Sequence, residues 1–104
     1  MHIISYKKIQ EFCKKHAGAS HSLQHWYRIV KHESFTTFAD VKHLFPSADQ
    51  VGNFVVFNIG GNKYRLIAFI RYPLKRLFIR HILTHDEYNR EKWKEDLWFR
   101  SSNN

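Results

Sequence analysis

Five residues in the second half of the chain have side chains suited to chemistry on a phosphate group. His85 could transfer a proton, because histidine is the side chain best suited to that task, and Lys63 is a second candidate for the role. Arg65 and Arg80 could stabilise negative charge that develops on phosphorus. Tyr88 could stack on a nucleic-acid base or donate a proton. These residues must be positioned by the elements that surround them.

The segment from Thr84 to Tyr88 carries a helix-start signal. Thr84 followed by Glu87 is a capping box, which places His85 at the first helical position and Tyr88 one turn later. This signal has a purely structural interpretation that holds in any case. It also supports a functional one, because the N-terminus of a helix carries partial positive charge that favours an anion.

Three strands precede this helix. A β-rich run, Phe54–Asn58, is followed by a Gly60-Gly61 pair that is typical of a hairpin turn. The predicted second and third strands are Lys63–Tyr72 and Arg76–Leu83, joined by a turn at Pro73. Short connections of this kind predict an antiparallel meander.

Alternation of side chains along these strands predicts one apolar and one basic face. The apolar face is expected to lie under a helical layer; it contains Tyr64, Leu66, Ala68, Ile70, Leu77, Ile79, His81 and Leu83. His81 is therefore expected to be a partly buried structural histidine. The other face would gather Lys63, Arg65, Arg76 and Arg80, together with Phe78 and Ile82. Such a face suits a phosphate backbone, although ordinary solvated charges would give the same pattern.

The N-terminal half predicts the helical layer. His2-Ile3-Ile4 is expected to be an edge strand of the sheet, and Ser47–Gly52 a turn-rich loop. Three helices are expected between them, over residues 6–17 with Ser5 as N-cap, over residues 21–32 with Ser20 as N-cap, and over Phe38–Leu44. The predicted fold is an α+β domain in which a helical hairpin covers one face of an antiparallel sheet.

Length and charge restrict the class of protein. The 104 residues predict a single domain, residues 1–104, and the net charge of +8 favours a polyanionic or an acidic protein partner. No signal peptide is recognisable, and no apolar run approaches the ~20 residues that span a bilayer. The single cysteine, Cys13, favours a reducing cytoplasm. His21 and His25 have a spacing that two metal ligands could share, but no third ligand stands nearby, so no metal is expected.

Several motifs together resemble the HigB-type toxins, which are mRNA interferases of the RelE/ParE toxin superfamily. They are the run Phe57–Ala68 with its Gly-Gly-Asn-x-x-Arg core, Tyr72-Pro73-x-Lys75, Phe78-Ile79-Arg80 and Thr84-His85-x-Glu87-Tyr88. The Phe45–Asp49 segment and the two preceding helices also fit. The resemblance covers the chain up to about residue 90, and the segment 89–104, with Trp93 and Trp98, departs from the family pattern. That tail is expected to be partly helical, with a frayed end at Ser101–Asn104.

The resemblance implies a RelE-like fold and metal-independent, cofactor-free cleavage of mRNA in the ribosomal A site, leaving a 2′,3′-cyclic phosphate. By position it assigns catalysis first to Arg65 and Tyr88, and then to His85, Lys63 and Arg80. Asn62, Lys75 and Arg76 are expected to bind RNA. The implied partners are the ribosome with its mRNA and a HigA-like helix-turn-helix antitoxin. The protein would bind operator DNA only as part of the antitoxin complex. No membrane is implied.

Two other functions fit the same fold. One is a gyrase-directed toxin without nuclease activity, although such relatives generally lack a complete set like Lys63, Arg65, His85 and Tyr88. The other is a nucleic-acid-binding module without chemistry, for which steep salt dependence without a cleavage product would be diagnostic.

Overall fold

Five strands form one sheet with four helices around it in the computed structural model, which describes residues 1–100. The strands are β1 (His2–Ile4), β2 (Asp49–Val51), β3 (Phe54–Ile59), β4 (Tyr64–Arg71) and β5 (Arg76–Thr84). The helices are α1 (Lys7–Lys15), α2 (Ser20–Lys31), α3 (Phe38–Leu44) and α4 (His85–Asn89). Four 3₁₀ turns cover Ala17–Ala19, Tyr72–Leu74, Lys92–Glu95 and Leu97–Phe99. The predicted frayed end, Ser101–Asn104, lies outside the described residues.

The strand order is β1-β5-β4-β3-β2, so the predicted α+β class and the β3-β4-β5 meander are confirmed. Two details of the sheet differ from the prediction. The segment expected to be a loop before the meander contains β2, which pairs antiparallel with β3. β1 is an edge strand as expected, but it runs parallel to β5, with His2 opposite Arg76 and Ile4 opposite Phe78. The sheet is therefore mixed. Parallel pairing of β1 and β5 is possible because the chain between them is long and includes α1, α2 and α3.

The β3–β4 connection depends on its two glycines. Gly60 and Gly61 have φ angles of +62° and +70°, a region that residues with a Cβ rarely adopt. The two glycines reverse the chain within a four-residue connection, residues 60–63, and the strands pair in register from Ile59–Tyr64 to Val55–Ala68. The hairpin signal in the sequence is confirmed.

The helices begin close to the predicted positions, but two of the expected caps are absent. α3 has the predicted bounds and a capping box between Thr37 and Asp40. Neither Ser5 nor Ser20 caps a helix: Ser5 has a φ of 78° ahead of α1, and Ser20 is already the first residue of α2. No helix among residues 1–100 is long and apolar enough to cross a membrane.

The main core lies between the helices and one face of the sheet, called the inner face below. Ile9 of α1, Leu23, Trp26 and Val30 of α2, and Val41 of α3 pack against Val55, Phe57, Leu66, Ala68, Leu77 and Ile79 of the strands. All of these side chains are buried. The prediction that helices cover one face of the sheet is confirmed.

A β-bulge in β5 overturns part of the predicted face assignment. Ile67 pairs with His81 and Ala68 pairs with Ile79, so Arg80 is the extra residue. Beyond this point the alternation is reversed. Ile82 packs with the inner core, whereas Leu83 packs on the opposite face, called the outer face below. His81 and Leu83 were therefore assigned to the wrong face, because strict alternation fails at a bulge.

The outer face is covered rather than open. A second apolar cluster joins Phe54, Val56 and Ile67 of the sheet to Trp93 and Phe99 of the C-terminal segment, and all five are buried. The end of this segment is held at the β2–β3 turn, where the backbone N–H of Asn53 donates to the carbonyl of Phe99 at 3.1 Å. The predicted exposed basic face is therefore closed over much of its area by residues 92–99.

Asp96 is the polar anchor of the C-terminal segment. Its carboxylate accepts from Arg80 Nε at 2.9 Å and Nη2 at 2.8 Å, from His81 Nε2 at 2.9 Å, and from the backbone N–H of Trp98 at 2.9 Å. The Arg80 guanidinium also lies 3.8 Å from the centre of the Trp98 ring. The bulge makes this possible because it turns two consecutive side chains of β5 toward the same carboxylate.

Replacing Asp96 by Asn should destabilise the fold by about 2 to 4 kcal/mol, because two cation-donated hydrogen bonds lose their anionic acceptor. Urea denaturation would measure this change. Glu95→Gln removes the same charge from the neighbouring exposed residue and should change the free energy of unfolding by less than about 0.5 kcal/mol. Equal effects of the two variants would contradict the anchoring role of Asp96.

The same contacts predict loss of stability in acid. Burial alone would raise the pKa of Asp96, but its hydrogen bonds from Arg80, Trp98 and His81 lower it from 3.8 to about 2. Burial lowers the pKa of His81 below its ordinary 6.5 and outweighs the opposing effect of Asp96. The unfolded chain therefore binds protons more readily at both groups. The free energy of unfolding should fall as pH drops below 6.5, and again below 3.8.

In denaturation experiments between about pH 7 and pH 5, the free energy of unfolding of the His81→Asn variant should decline less steeply than that of the wild-type protein. An identical decline in the two proteins would mean that His81 does not contribute to the acid sensitivity.

Candidate active site

Arg65 is the one charged residue that is buried among residues 1–100, with 8% of its surface exposed. It projects from β4 onto the outer face, opposite Leu83 of β5. Its Nη1 donates to the carbonyl oxygens of Asn62 and Tyr64, both at 3.1 Å. A buried charge must be satisfied by hydrogen bonds, and these two carbonyls fix the orientation of the guanidinium.

His85 is the third partner of Arg65. Its Nδ1 lies 3.3 Å from Arg65 Nη2, and its backbone N–H donates to the carbonyl of Lys63 at 3.0 Å. The guanidinium can only donate, so Nδ1 accepts and the neutral imidazole carries its proton on Nε2. These three contacts leave two of the five N–H donors of Arg65 for another acceptor.

α4 places His85 and Tyr88 as predicted. Thr84 Oγ1 accepts from the backbone N–H of Glu87 at 3.2 Å, and Glu87 Oε1 accepts from the backbone N–H of Thr84 at 2.9 Å. The predicted capping box is confirmed. It begins the helix directly after β5, so that His85 and Tyr88 both lie beside Arg65.

The ring of Tyr88 is held by two neighbours. The Arg65 guanidinium lies 5.3 Å from the ring centre, and the Trp93 ring is stacked on it at 5.2 Å with an angle of 9°. Trp93 Nε1 also donates to the carbonyl of Tyr88 at 3.0 Å. Base stacking by Tyr88 is therefore disfavoured, and its hydroxyl is the group available for chemistry.

Trp93 is a residue of the site that the sequence did not identify as such. It is 4% exposed, packs between Tyr88 and Phe54, and orients the ring of Tyr88. Its position five residues after Tyr88 is the available sequence signal, but that spacing does not distinguish a docking residue from a solvent-facing one.

The remaining predicted residues do not all lie near this group: Lys63 and Asn62 adjoin it, whereas Lys75 and Arg76 lie at the opposite end of the β4–β5 pair. Lys63 and Asn62 lie in the β3–β4 turn next to Arg65, with exposed side chains. Arg80 is bound to Asp96, and no contact joins it to Arg65, His85 or Tyr88 in the described part of the chain. Arg76 is exposed and lies opposite Arg71. Lys75 donates to the carbonyl of Phe35 at 3.0 Å, next to the inner core.

The structure offers no grouped metal ligands within residues 1–100: no three His, Cys, Asp or Glu side chains lie close enough to hold an ion. His21 and His25 are exposed residues of α2.

Comparison with known proteins identifies one family. A family model described as "HigB_toxin, RelE-like toxic component of a toxin-antitoxin system" matches residues 19–91, which include all of the residues grouped around Arg65 except Trp93.

Individual relatives match over most of their length. An Escherichia coli O6:H1 (strain CFT073) protein named mRNA interferase HigB is 34% identical over 93 residues, which cover 86% of this chain and 90% of the relative. The mRNA interferase toxin HigB of Escherichia coli K12 and the mRNA interferase HigB of Shigella flexneri are each 28% identical over 92 residues, covering 86% of this chain and 88% of each relative.

The contact between Arg65 and His85 predicts the proton position on the imidazole. Long-range ¹H–¹⁵N NMR spectra at a pH where His85 is neutral should show the Nε2–H form in excess, because Nδ1 accepts from the guanidinium. Arg65→Met should reduce that excess. The signals of exposed His21 serve as an internal control and should not change. A predominant Nδ1–H form in the unaltered protein would contradict the contact.

Proposed function

The chain belongs to the HigB family of RelE-like toxins, and on that premise we propose that it is an endoribonuclease that cleaves mRNA during translation. The single observation that carries the proposal is the group formed by Arg65, His85 and Tyr88. One fixed cation and two groups able to exchange protons converge where β5 passes into α4. The names of the relatives, mRNA interferase, agree with this chemistry.

The reaction that this group supports is transfer of a phosphoester within the RNA chain. The ribose 2′-oxygen loses its proton and attacks phosphorus, and the bond to the 5′-oxygen breaks as that oxygen takes up a proton. The products are a 2′,3′-cyclic phosphate and a 5′-hydroxyl. Because Nδ1 of His85 accepts from Arg65, its Nε2–H is a donor for the 5′-oxygen, and the proton of the 2′-hydroxyl passes to Tyr88 or Lys63 in its deprotonated form.

Arg65 stabilises the phosphorane. Its two remaining N–H donors are directed by three hydrogen bonds before substrate arrives, so that little reorganisation is needed when charge develops. Lys63 and Asn62, in the adjoining turn, supply further positive charge and hydrogen bonding to the RNA. Arg80 contributes through the fold, since its guanidinium is occupied by Asp96.

The proposed partners follow from charge and family. The net charge of +8 favours approach to the ribosome and its mRNA through long-range attraction. A HigA-like helix-turn-helix antitoxin neutralises the toxin, and the protein reaches operator DNA through that complex. Action on ribosomes and pairing with an antitoxin favour a cytoplasmic location. The grouped Arg65, His85 and Tyr88 favour this function over gyrase inhibition.

Tyr88→Phe keeps the ring between Arg65 and Trp93 and removes only the hydroxyl, so we expect a loss of cleavage of about 10²-fold or more with little change in stability. Arg65→Ala should lower cleavage by about 10²- to 10³-fold. Primer extension on mRNA translated in a purified system would measure both effects, with circular dichroism to verify folding.

Arg71→Ala is the matched control, since it removes the same charge from the opposite end of β4 and should leave cleavage close to that of the unaltered protein. Intact mRNA despite growth arrest in cells would overturn the nuclease and direct the search to gyrase or another target. RNA binding without any cleavage product would indicate a non-catalytic module.

A further inference from the structure

The edge of β5 is open to a partner over half of its length. β1 pairs with β5 only from Arg76 to Phe78, and Ser5 then turns the chain into α1. From Ile79 to Thr84 no strand among the described residues pairs with the edge of β5 that faces away from β4, and α1 flanks this edge instead. The space between α1 and this half of β5 is a cavity of about 310 Å³, called the α1–β5 groove below.

Basic side chains line both sides of the α1–β5 groove. Lys8 and Lys15 line it from α1, His16 follows at the end of that helix, and Arg80 and His81 line it from β5. Lys8 and Lys15 are seven residues apart on one stripe of the helix, which separates them by about 10 Å along its axis. A polymer with charge distributed along its length could contact both ammonium groups.

The acidic residues of the groove are already engaged. Glu11 lies 3.9 Å from Lys7 on the same helix, and Glu87 accepts from the backbone of Thr84 in the capping box of α4. Asp96 neutralises one charge at Arg80. Lys8 and Lys15 have no carboxylate partner among residues 1–100, so their ammonium groups are available to phosphates although Glu11 and Glu87 also line the groove.

The groove begins at the candidate active site. Leu83, which lines it, is the cross-strand partner of Arg65, and Glu87, which also lines it, lies on α4 between His85 and Tyr88. Phe12 and His16 form a stacked pair within it, with ring centres 4.5 Å apart and planes at 26°. Aromatic rings beside cations are the combination that binds single-stranded nucleic acid, through stacking on bases and contacts to phosphates.

We infer that the α1–β5 groove binds the sugar–phosphate backbone of the RNA strand next to the bond that is cut, with Lys8 and Lys15 as the phosphate contacts. This inference rests on the proposed function and extends it from the reacting atoms to the path of the substrate. An acidic protein segment is the competing occupant. RNA is favoured because the groove joins the site at Leu83 and Glu87 and contains a ring pair able to stack on a base.

The test compares two double variants that remove equal charge. Lys8→Ala/Lys15→Ala removes the groove cations, and Lys14→Ala/Lys31→Ala removes two exposed lysines of α1 and α2 that lie outside the groove. The probe is a fluorescein-labelled single-stranded RNA oligonucleotide with 2′-deoxy sugars at the central positions, which the protein cannot cleave there. Fluorescence anisotropy over a series of salt concentrations measures affinity and its salt dependence.

The groove variant should bind the oligonucleotide about tenfold more weakly, and the slope of log affinity against log salt should decrease in magnitude by about 1. The control variant should stay within about twofold of the unaltered protein. Equal weakening of both variants would overturn the inference, because it would show a general effect of charge. Unchanged RNA binding with weakened binding of the co-purified antitoxin would also overturn it and assign the groove to a protein.

A failure of the proposed nuclease function can be distinguished from a failure of the groove. If the nuclease is wrong, translated mRNA stays intact with the unaltered protein. The anisotropy measurement does not depend on cleavage, because its RNA cannot be cut. Cleavage that depends on Arg65, with no difference between the two double variants, would preserve the nuclease and refute the groove.

Discussion

The buried guanidinium of Arg65 is the constraint on which the candidate site depends. A charge that is 8% exposed is tolerated only when its donors find acceptors, and those acceptors lie on separate elements. The carbonyls of Asn62 and Tyr64 fix the β3–β4 hairpin on one side, and Nδ1 of His85 fixes the start of α4 on the other. One side chain therefore determines the relative positions of the turn, the helix N-terminus and Tyr88.

A second anchor, Asp96, determines what happens to the rest of the outer face. The bulge at Arg80 turns that residue and His81 toward one carboxylate, and the carboxylate holds the C-terminal segment over the sheet. Trp93 in that segment then stacks on Tyr88. The conformation of Tyr88 is thus linked through Trp93 to Asp96, so that a segment outside the best-matching motifs supports a residue within them.

Local signals in the sequence predicted most of the elements, because each depends on residues that are neighbours in the chain. The Gly60-Gly61 turn, the capping box at Thr84 and the bounds of α3 are examples. The parallel pairing of β1 was missed because its partner β5 is distant in the chain. The strand β2 was missed although its partner β3 is adjacent, because the three residues Asp49–Val51 lie in a segment with the composition of a turn. The face of His81 was wrong, because a single inserted residue reverses the alternation and has no sequence signature of its own. The grouping of Arg65, His85 and Tyr88 came from the resemblance to a family rather than from the residues alone.

Closure of the outer face also limits how a polymer can reach the site. An open basic face, as the alternation pattern predicted, would allow RNA to cross the whole sheet. The cluster of Phe54, Trp93 and Phe99 removes that route over the middle of the sheet. The edge of β5 beyond Phe78 has no neighbouring strand in the described residues, and the α1–β5 groove beside it contains two lysines without a carboxylate partner, Lys8 and Lys15. The C-terminal segment that orients Tyr88 thus favours an approach of RNA along α1, from the edge of the sheet where Lys8 and Lys15 lie.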